Sequence, residues 1–313
     1  MKNVIERIHQ AEHVVVIAHI HPDADSLGSA SALYTYMLQL HKKVTFFCKS
    51  RYIDEKLEFL PWFDKIKHSI PSSVDLAISV DCGSRSRLGV EIHVDLINFD
   101  HHQSNDLYAQ YNVINAEAIS TTQVIYDFFN DHEIRINQKM ATALYAGLLD
   151  DSSNFLSYKT DVKTFDMAKD LCELGAEIQT VSNYISKYLP LSAFRLKGAM
   201  MRDVRLYDNA GIAFFVVSQK MLEQYGAHPK DCETALEEGL YLPTVEVSVL
   251  LCETKDLSIK GSMRSQGELD VDEIAQMFNG GGHKHASGFV VWDKTLDEME
   301  SRLRQILTLK RNL

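Results

Sequence analysis

Residues His13–Ala18 read HVVVIA, and the polar stretch HIHPDADSLGS follows at residues 19–29. β-Branched residues dominate the apolar run, which predicts a buried strand, and the next stretch predicts a helix at about residues 26–40. In open α/β sheets, ligands bind beyond the carboxyl ends of the strands. The histidines and aspartates of this polar stretch therefore stand where such a fold binds ligands.

Predicted strands and helices continue to alternate along the first half of the chain. Further strands are predicted at residues 43–48, 75–81 and 94–99, and helices from residue 119 onward. Such alternation indicates an α/β fold with a doubly wound, mostly parallel sheet.

The segment YLPLSAF at residues 188–194 interrupts the pattern with Pro190 and predicts a hinge. Beyond the hinge, strands are predicted at residues 204–208, 211–217, 245–253 and 257–265, and the last two form a hairpin across the turn TKD. This half reads as a second, smaller α+β domain. The expected organisation is a first domain at residues 1–187, a hinge linker at 188–196 and a second domain at 197–313.

Composition limits the classes of function. A chain of 313 residues has room for about two domains, and a net charge of -11 disfavours binding to long nucleic acid. The five cysteines are odd in number and form no CxxC pair, which predicts reduced thiols rather than a disulfide framework or a zinc ribbon. The sequence has no apolar segment near the length of about 20 residues that spans a bilayer, and no signal peptide, so we predict a cytoplasmic protein without a membrane partner.

Acids and histidines recur at the ends of the predicted elements. Asp81 follows a strand in SVDCGSRSRLG, a DHH triplet ends the next strand in NFDHHQSN, and paired aspartates end a helix in AGLLDDSSNF. The combined candidates are His19, Asp23, Asp25, Asp81, His101 and one of Asp150 and Asp151. Two imidazoles and four carboxylates suit two hard or borderline divalent cations.

Structural explanations compete with this one. Asp25 or Ser26 could cap the helix, Asp81 could form a turn, and Asp150 could simply be solvated. Adjacent side chains of a strand point to opposite sides, so at least one histidine of the DHH triplet should face the aspartates.

The second half carries the glycine-rich segment FNGGGHKHASG at residues 278–288. Consecutive glycines let backbone N–H groups form an anion-binding nest that suits phosphate. His283 and Arg264 could add charged donors to such a site. The alternative is that the glycine run is a flexible loop.

These five motifs, in this order and over nearly the whole chain, resemble those of the DHH phosphoesterase superfamily. The two-domain length and the GGGH element are similar to its oligoribonuclease and pAp-phosphatase branch, the NrnA-like proteins; pAp is 3'-phosphoadenosine 5'-phosphate. The resemblance implies a DHH domain, a DHH-associated domain and an active-site cleft between them. This sequence departs from the family pattern at two places. Gln103 follows the DHH triplet, where the family commonly has Pro, and residues 151–153 read Asp-Ser-Ser, where Asp-Thr-Gly is frequent.

The resemblance also implies roles for particular residues. One metal ion would be held by His19, Asp23 and Asp81, and the other by Asp25, Asp81 and His101, with Asp151 as the remaining ligand. His102 would face the scissile phosphate and Asp100 would orient a histidine. Substrate recognition would fall to Arg264, Gly281, Gly282 and His283.

The predicted function is hydrolysis of very short oligonucleotides or pAp, through attack by a hydroxide that bridges two divalent cations. The resemblance implies that these cations are Mn²⁺. Linear or cyclic dinucleotides are alternative substrates, and the resemblance allows a homodimer. Three further alternatives are a single-strand exonuclease of the RecJ kind, a family II inorganic pyrophosphatase and a non-catalytic nucleotide sensor. An acidic chain without a basic groove favours short substrates over long or duplex nucleic acid.

Overall fold

The chain divides into two compact units, one up to Tyr188 and the other from Leu189 onward. The structure, a computed structural model, describes residues 2–157 and 159–311. The two are called unit 1 and unit 2 below.

Unit 1 is built on a parallel sheet. Its strands are β1 (His13–Ala18), β2 (Lys43–Cys48), β3 (Ile66–Lys67), β4 (Leu76–Val80), β5 (Asp95–Asp100) and β6 (Tyr111–Ile114). Its helices are α1 (Lys2–Gln10), α2 (Ala24–Gln39), α3 (Thr121–Asp131), α4 (Gln138–Asp151), α5 (Val162–Glu173) and α6 (Ile178–Ile185). The strand order is β3-β2-β1-β4-β5-β6, and every neighbouring pair is parallel.

Both faces of this sheet are buried. Val14 and Val16 of β1 belong to one apolar cluster, while Val15 and Ile17 belong to a second cluster. Because side chains alternate along a strand, the two clusters cover opposite faces. This arrangement confirms the predicted doubly wound α/β fold and explains why β1 reads as a continuous apolar run.

Unit 2 contains a second sheet of mixed direction. Its elements are α7 (Leu191–Arg202), β7 (Arg205–Tyr207), β8 (Ile212–Val217), α8 (Gln219–Tyr225), α9 (Glu233–Glu238), β9 (Val247–Glu253), β10 (Ile259–Ser265), α10 (Val271–Gln276), β11 (Gly281–His283), β12 (Ala286–Val291) and α11 (Leu296–Arg311). The strand order is β11-β12-β10-β9-β8-β7, and only the β8–β9 pair is parallel among the described strands.

Two details differ from the sequence-based expectation. Strands β3 and β6 of the first sheet were not predicted, because β3 has only two residues and the segment YNVI of β6 is short and follows polar residues. The segment expected to be a linker at residues 188–196 becomes helical at Leu191, directly after Pro190. Pro190 is the N-cap residue of this helix, where it interrupts no intrahelical hydrogen bond, so it is compatible with a helix that starts directly after it.

Helices α2 and α4 pack closely through glycine. A Cβ atom at Gly28 would lie 2.4 Å from the backbone oxygen of Ala143 in α4. A Cβ atom at Gly147 would lie 2.5 Å from the Thr122 side chain and 2.7 Å from a carboxylate oxygen of Asp25. The absence of side chains at both positions therefore allows the helices to approach.

We predict that Gly28→Ala lowers the stability of the protein by about 1–3 kcal/mol, because the added methyl overpacks against backbone that cannot yield easily. The midpoint and slope of urea unfolding measure this change. Gly198→Ala is the control, since a Cβ atom there meets nothing within 4 Å in helix α7. It should leave stability unchanged or raise it by up to about 1 kcal/mol, and equal effects of both substitutions would contradict the packing argument.

Candidate metal centre

The candidate ligands meet at the carboxyl edge of three neighbouring strands. His19 follows β1, Asp81 follows β4, and His101 and His102 follow β5. Helix α2 contributes Asp23 and Asp25 from its first residues, and helix α4 ends in Asp151. The strand order β1-β4-β5 makes these ends adjacent in space.

Three groups of side chains have ligand atoms within 4.8 Å of one another: Asp81, His101 and His102; His19, Asp23 and Asp81; and Asp25, His101 and Asp151. All six residues predicted as metal ligands belong to these groups. Asp81 belongs to two groups, and so does His101. The three groups therefore adjoin one another and share residues that could hold metal ions.

Asp81 occupies a left-handed backbone conformation, with φ 54°. Such a conformation costs a non-glycine residue roughly 1–2 kcal/mol and is found at functional sites when the surroundings enforce it. Its N–H donates to the carbonyl of Phe99 at 2.9 Å, which ties the turn to strand β5. The carboxylate is 3% exposed and lies at the centre of the cluster.

Asp23, and neither Asp25 nor Ser26, caps helix α2. One oxygen of Asp23 accepts a hydrogen bond from the N–H of Ser26 at 2.9 Å. The other lies 3.8 Å from Nε2 of His19. A single carboxylate therefore both caps the helix and faces the candidate cation.

His19 lies between carboxylates. Its Nε2 is 3.1 Å from Asp81, and its Nδ1 donates to the carbonyl of Ile20 at 2.8 Å. Burial lowers the pKa of His19, but hydrogen bonds and charge from Asp23 and Asp81 outweigh burial and raise the pKa to about 9. The two carboxylates thus favour a positive charge at His19, on the side that faces Asp23 and Asp81.

Asp25 is fully buried and is held by the start of helix α3. Its two oxygens accept hydrogen bonds from the N–H groups of Thr121 at 2.7 Å and Thr122 at 2.9 Å. Nevertheless burial, and next the charges of Asp81 and Asp23, raise its pKa well above the ordinary value. Sequence reasoning missed Thr121, although the capping sequence STTQ before an apolar run marks a helix start.

His101 faces the end of helix α4. Its Nε2 lies 3.3 Å from Asp151 and 3.7 Å from Asp81. Burial lowers the pKa of His101, which favours the neutral imidazole that binds metals. Burial also raises the pKa of Asp151 well above normal, with Asp25 the next largest contributor.

Both histidines of the DHH triplet approach Asp81, at 3.7 Å for His101 and 3.6 Å for His102. The expectation that they point to opposite sides is wrong, because strand β5 ends at Asp100 and strand alternation does not continue beyond it. Asp150, expected to be solvated, accepts a hydrogen bond from the N–H of Ala24 at 3.2 Å. It is partly buried at the junction of α2 and α4.

Asp100 lies behind His102. One oxygen of this fully buried carboxylate accepts from Nδ1 of His102 at 2.7 Å, and the other accepts from Asn105 at 2.6 Å. The hydrogen bond with Asp100 raises the pKa of His102. Burial opposes ionisation of Asp100, but the hydrogen bonds from His102 and Asn105 keep its pKa below normal. The imidazole of His102 is therefore oriented by a charged partner.

Arg87 also reaches the cluster and was not predicted. Its Nη2 lies 3.2 Å from Nδ1 and 3.1 Å from Nε2 of His19. The arginine stands within the quoted motif SVDCGSRSRLG. The charged stretch was the only signal, because a contact with His19 depends on the tertiary fold.

The donor set fits divalent cations. The groups contain four carboxylates, three imidazoles and no cysteine, a set more typical of Mn²⁺ or Mg²⁺ sites than of structural zinc sites. Burial and the neighbouring carboxylates raise the pKa of Asp25 and of Asp151, because ionised carboxylates are disfavoured in a buried, negatively charged cluster. Cations at these groups would remove that cost.

Comparison with known families agrees with this geometry. Residues 13–148 match the N-terminal domain of the DHH family, and residues 210–309 match the DHHA1 domain. The chain thus contains a DHH-family N-terminal domain followed by a DHHA1 domain. The resemblance inferred from the sequence motifs is thereby confirmed, and unit 1 contains the DHH domain while unit 2 contains the DHHA1 domain.

Curated relatives cover nearly the whole chain. The probable bifunctional oligoribonuclease and PAP phosphatase NrnA of Streptococcus mutans is 26% identical over 294 residues, which are 92% of this chain and 92% of that protein. The bifunctional oligoribonuclease and PAP phosphatase NrnA of Thermus thermophilus is 26% identical over 309 residues, covering 97% of this chain and 92% of that protein.

Solved structures share the fold of this chain. An exopolyphosphatase-related protein from Bacteroides fragilis has a TM-score of 0.90 at 19% identity and covers 98% of this chain and 96% of its own. RecJ from Thermus thermophilus in complex with Mn²⁺ has a TM-score of 0.58 at 15% identity, covering 97% of this chain and 53% of its own. Within the described residues of this chain, no helix is both long and apolar enough to cross a membrane.

The predicted substrate residues lie in the DHHA1 domain. Gly281 and Gly282 belong to the exposed strand β11, which pairs with β12, and do not form the predicted anion-binding nest. Close packing accounts for glycine at two of these positions, since a Cβ atom at Gly280 or Gly282 would lie within 2.4 Å of a backbone oxygen of β12. Arg264 and His283 both pair with Ala286 in the sheet register.

We predict that Mn²⁺ raises the unfolding temperature of the wild-type protein and not that of Asp81→Asn. A ligand that binds only the folded state stabilises it by about 2.7 kcal/mol at a concentration 100 times its dissociation constant. Circular dichroism with and without Mn²⁺ measures the shift. Asp106→Asn, at an exposed position near the DHH triplet, is the control and should keep it. A shift retained in Asp81→Asn would refute the shared-ligand arrangement.

Proposed function

We propose that this DHH-family chain is a two-metal phosphoesterase that hydrolyses very short oligonucleotides and pAp, with Mn²⁺ as its preferred cation. The observation that carries the proposal is the carboxylate of Asp81, which is common to two adjoining groups of ligand atoms. Shared carboxylates are typical of two-metal centres for phosphoryl displacement. The names of the two curated relatives supply the substrate class, and the Mn²⁺ complex of RecJ supports the cation.

The chain divides its ligands between two cations. His19, Asp23 and Asp81 would hold one, and Asp25, Asp81, His101 and Asp151 would hold the other. When bound, such a pair of cations supplies Lewis-acid polarisation of the phosphoryl group and a water that is nucleophilic at neutral pH. Thr121 steadies both Asp25, through its N–H, and Asp81, through its hydroxyl at 3.0 Å.

His102 is proposed as the proton donor to the leaving oxygen. Asp100 accepts the Nδ1 proton of His102, so Nε2 is the nitrogen that is left to carry a transferable proton. The raised pKa of His102 increases the protonated fraction near neutral pH. Asp100 thus acts on the reaction through the orientation and charge of the imidazole.

The DHHA1 domain is proposed to recognise the substrate through Arg264 and His283. Both residues pair with Ala286 of β12, one from β10 and the other from β11. Residues that pair across strands share one sheet face, so the two side chains flank a small residue at a separation of about two strand spacings, or roughly 10 Å. That spacing suits an anion held between two donors, and the net charge of -11 favours a short substrate over a long one.

A substrate panel tests the function. We expect release of mononucleotide or phosphate from pAp, pApA, a linear guanine dinucleotide and a 5-mer RNA, and little from a 24-mer RNA, cyclic di-AMP or pyrophosphate. EDTA and Asp81→Asn should abolish turnover, whereas His283→Ala should mainly raise KM. Asp106→Asn is the control variant. Cleavage of pyrophosphate alone, or nucleotide binding without turnover, would rule the proposal out.

A pH profile tests the role of Asp100. We predict that Asp100→Asn lowers kcat by roughly 100-fold, within the range for general acid–base catalysis, and moves the alkaline limb of kcat/KM to lower pH. The sign follows because Asp100 raises the pKa of His102. Without it, the imidazole loses its proton at lower pH, so the acid form disappears earlier as pH rises.

Asp106→Asn again provides the matched control, because it removes an exposed carboxylate four residues beyond His102. Its alkaline limb should coincide with that of the wild type. An alkaline limb that stays in place in Asp100→Asn would exclude His102 as the group that titrates there.

A further inference from the structure

The guanidinium of Arg87 lies in the acidic cluster, but within the described residues it forms no ion pair with a carboxylate. Its Nη2 is almost equally distant from both nitrogens of His19, at 3.1 and 3.2 Å, which places it over the ring rather than along either lone pair. Among the described residues, it is the one lysine or arginine within hydrogen-bond distance of a predicted metal ligand, and the ion pairs of the described part of the chain do not include it. Its planar fork of donors is therefore uncommitted to a carboxylate.

The backbone fixes Arg87 at this position. Its carbonyl accepts from the N–H of Ile20 at 2.9 Å, so it is tied to the residue that follows His19. Leu88 is fully buried, and Gly89 ends the short helix Arg85–Leu88 with φ 65°. A Cβ atom at Gly89 would lie 2.6 Å from the Ile20 side chain, so the glycine permits this close approach.

The balance of charge in the ligand groups indicates a role for Arg87. The three ligand groups contain four carboxylates, Asp23, Asp25, Asp81 and Asp151. Two divalent cations would balance their charge, and Arg87 would then be a surplus positive charge beside the centre. A phosphate ester is the anion that such a surplus would attract, and guanidinium binds phosphate oxygens in a bidentate manner.

We propose that Arg87 binds the phosphoryl group of the substrate at the metal centre and stabilises its charge during displacement. This inference rests on the proposed phosphoesterase function. It assigns a substrate contact within the DHH domain, in addition to the contacts proposed for the DHHA1 domain. The competing explanation is that Arg87 only positions the His19 ring as a metal ligand.

Three variants separate these explanations: Arg87→Ala, Arg87→Lys and the control Arg85→Ala. Arg85 belongs to the same short helix, but its side chain donates to the carbonyl of Ile92 at 3.0 Å, away from the ligands. The measurements are kcat/KM for pAp and pApA with Mn²⁺, calorimetric affinity for Mn²⁺, and the affinity for pAp in the presence of Ca²⁺.

We expect Arg87→Ala to lower kcat/KM by roughly 100-fold, as the loss of a donor to a developing charge does. Its affinity for pAp should fall by about 10-fold or more, the usual effect of losing a hydrogen bond to a charged group. Its affinity for Mn²⁺ should be unchanged or higher, because a like charge has been removed. Arg87→Lys should be intermediate, and Arg85→Ala should match the wild type.

Two results would overturn the inference. One is equal kcat/KM and pAp affinity in Arg87→Ala and Arg85→Ala. The other is a weakened Mn²⁺ affinity in Arg87→Ala with activity restored at saturating Mn²⁺, which would make Arg87 a positioning residue for His19. If the wild-type protein cleaves neither nucleotide, the proposed function fails separately, and pAp affinity alone then decides the role of Arg87.

Discussion

Mutual repulsion among buried carboxylates is the constraint on which this structure depends. Parallel strands β1, β4 and β5 end at one edge of the sheet, so acids that follow them are forced together. At an effective dielectric constant near 20, like charges 4 Å apart repel by about 4 kcal/mol. The fold offsets part of this through backbone N–H groups on Asp25 and through His19 on Asp81. The remaining negative charge is what would attract cations to these groups.

The contact between helices α2 and α4 sets the geometry of the centre. Asp25 stands near the start of one helix and Asp151 at the end of the other, so their separation depends on how closely the helices pack. Gly147 lies beside Asp25, where even a methyl group would displace the carboxylate. Small residues at this contact therefore allow close packing of the core and also fix the positions of the candidate ligands. The stability of unit 1 and the position of these ligands depend on the same contact between two helices.

Much of this architecture could be predicted from local sequence, and the remainder depends on tertiary contacts. Strand β1 and the ligands that follow it were predictable, because an apolar run followed by clustered acids and histidines carries its own signal. Asp23 as the helix cap was not, since Asp25 and Ser26 offer similar local chemistry. The charged stretch around Arg87 and the capping sequence at Thr121 mark these segments locally, but neither predicts a contact with the candidate ligands, because each residue contacts them from a distant part of the chain.

The backbone after Asp151 is left-handed at the point where the sequence departs from the family pattern. Ser153 stands where the family frequently has glycine, and it adopts φ 49°, followed by Asn154 at 58° and Phe155 at 66°. Glycine takes this conformation freely, whereas each of these residues is strained by roughly 1–2 kcal/mol. The N–H of Phe155 donates to Ser152 Oγ at 3.0 Å, and that of Asn154 donates to the carbonyl of Leu149 at 2.9 Å. These bonds fold the chain back onto the end of α4, so a serine is tolerated at the expense of stability and the end of the helix that carries Asp151 stays fixed.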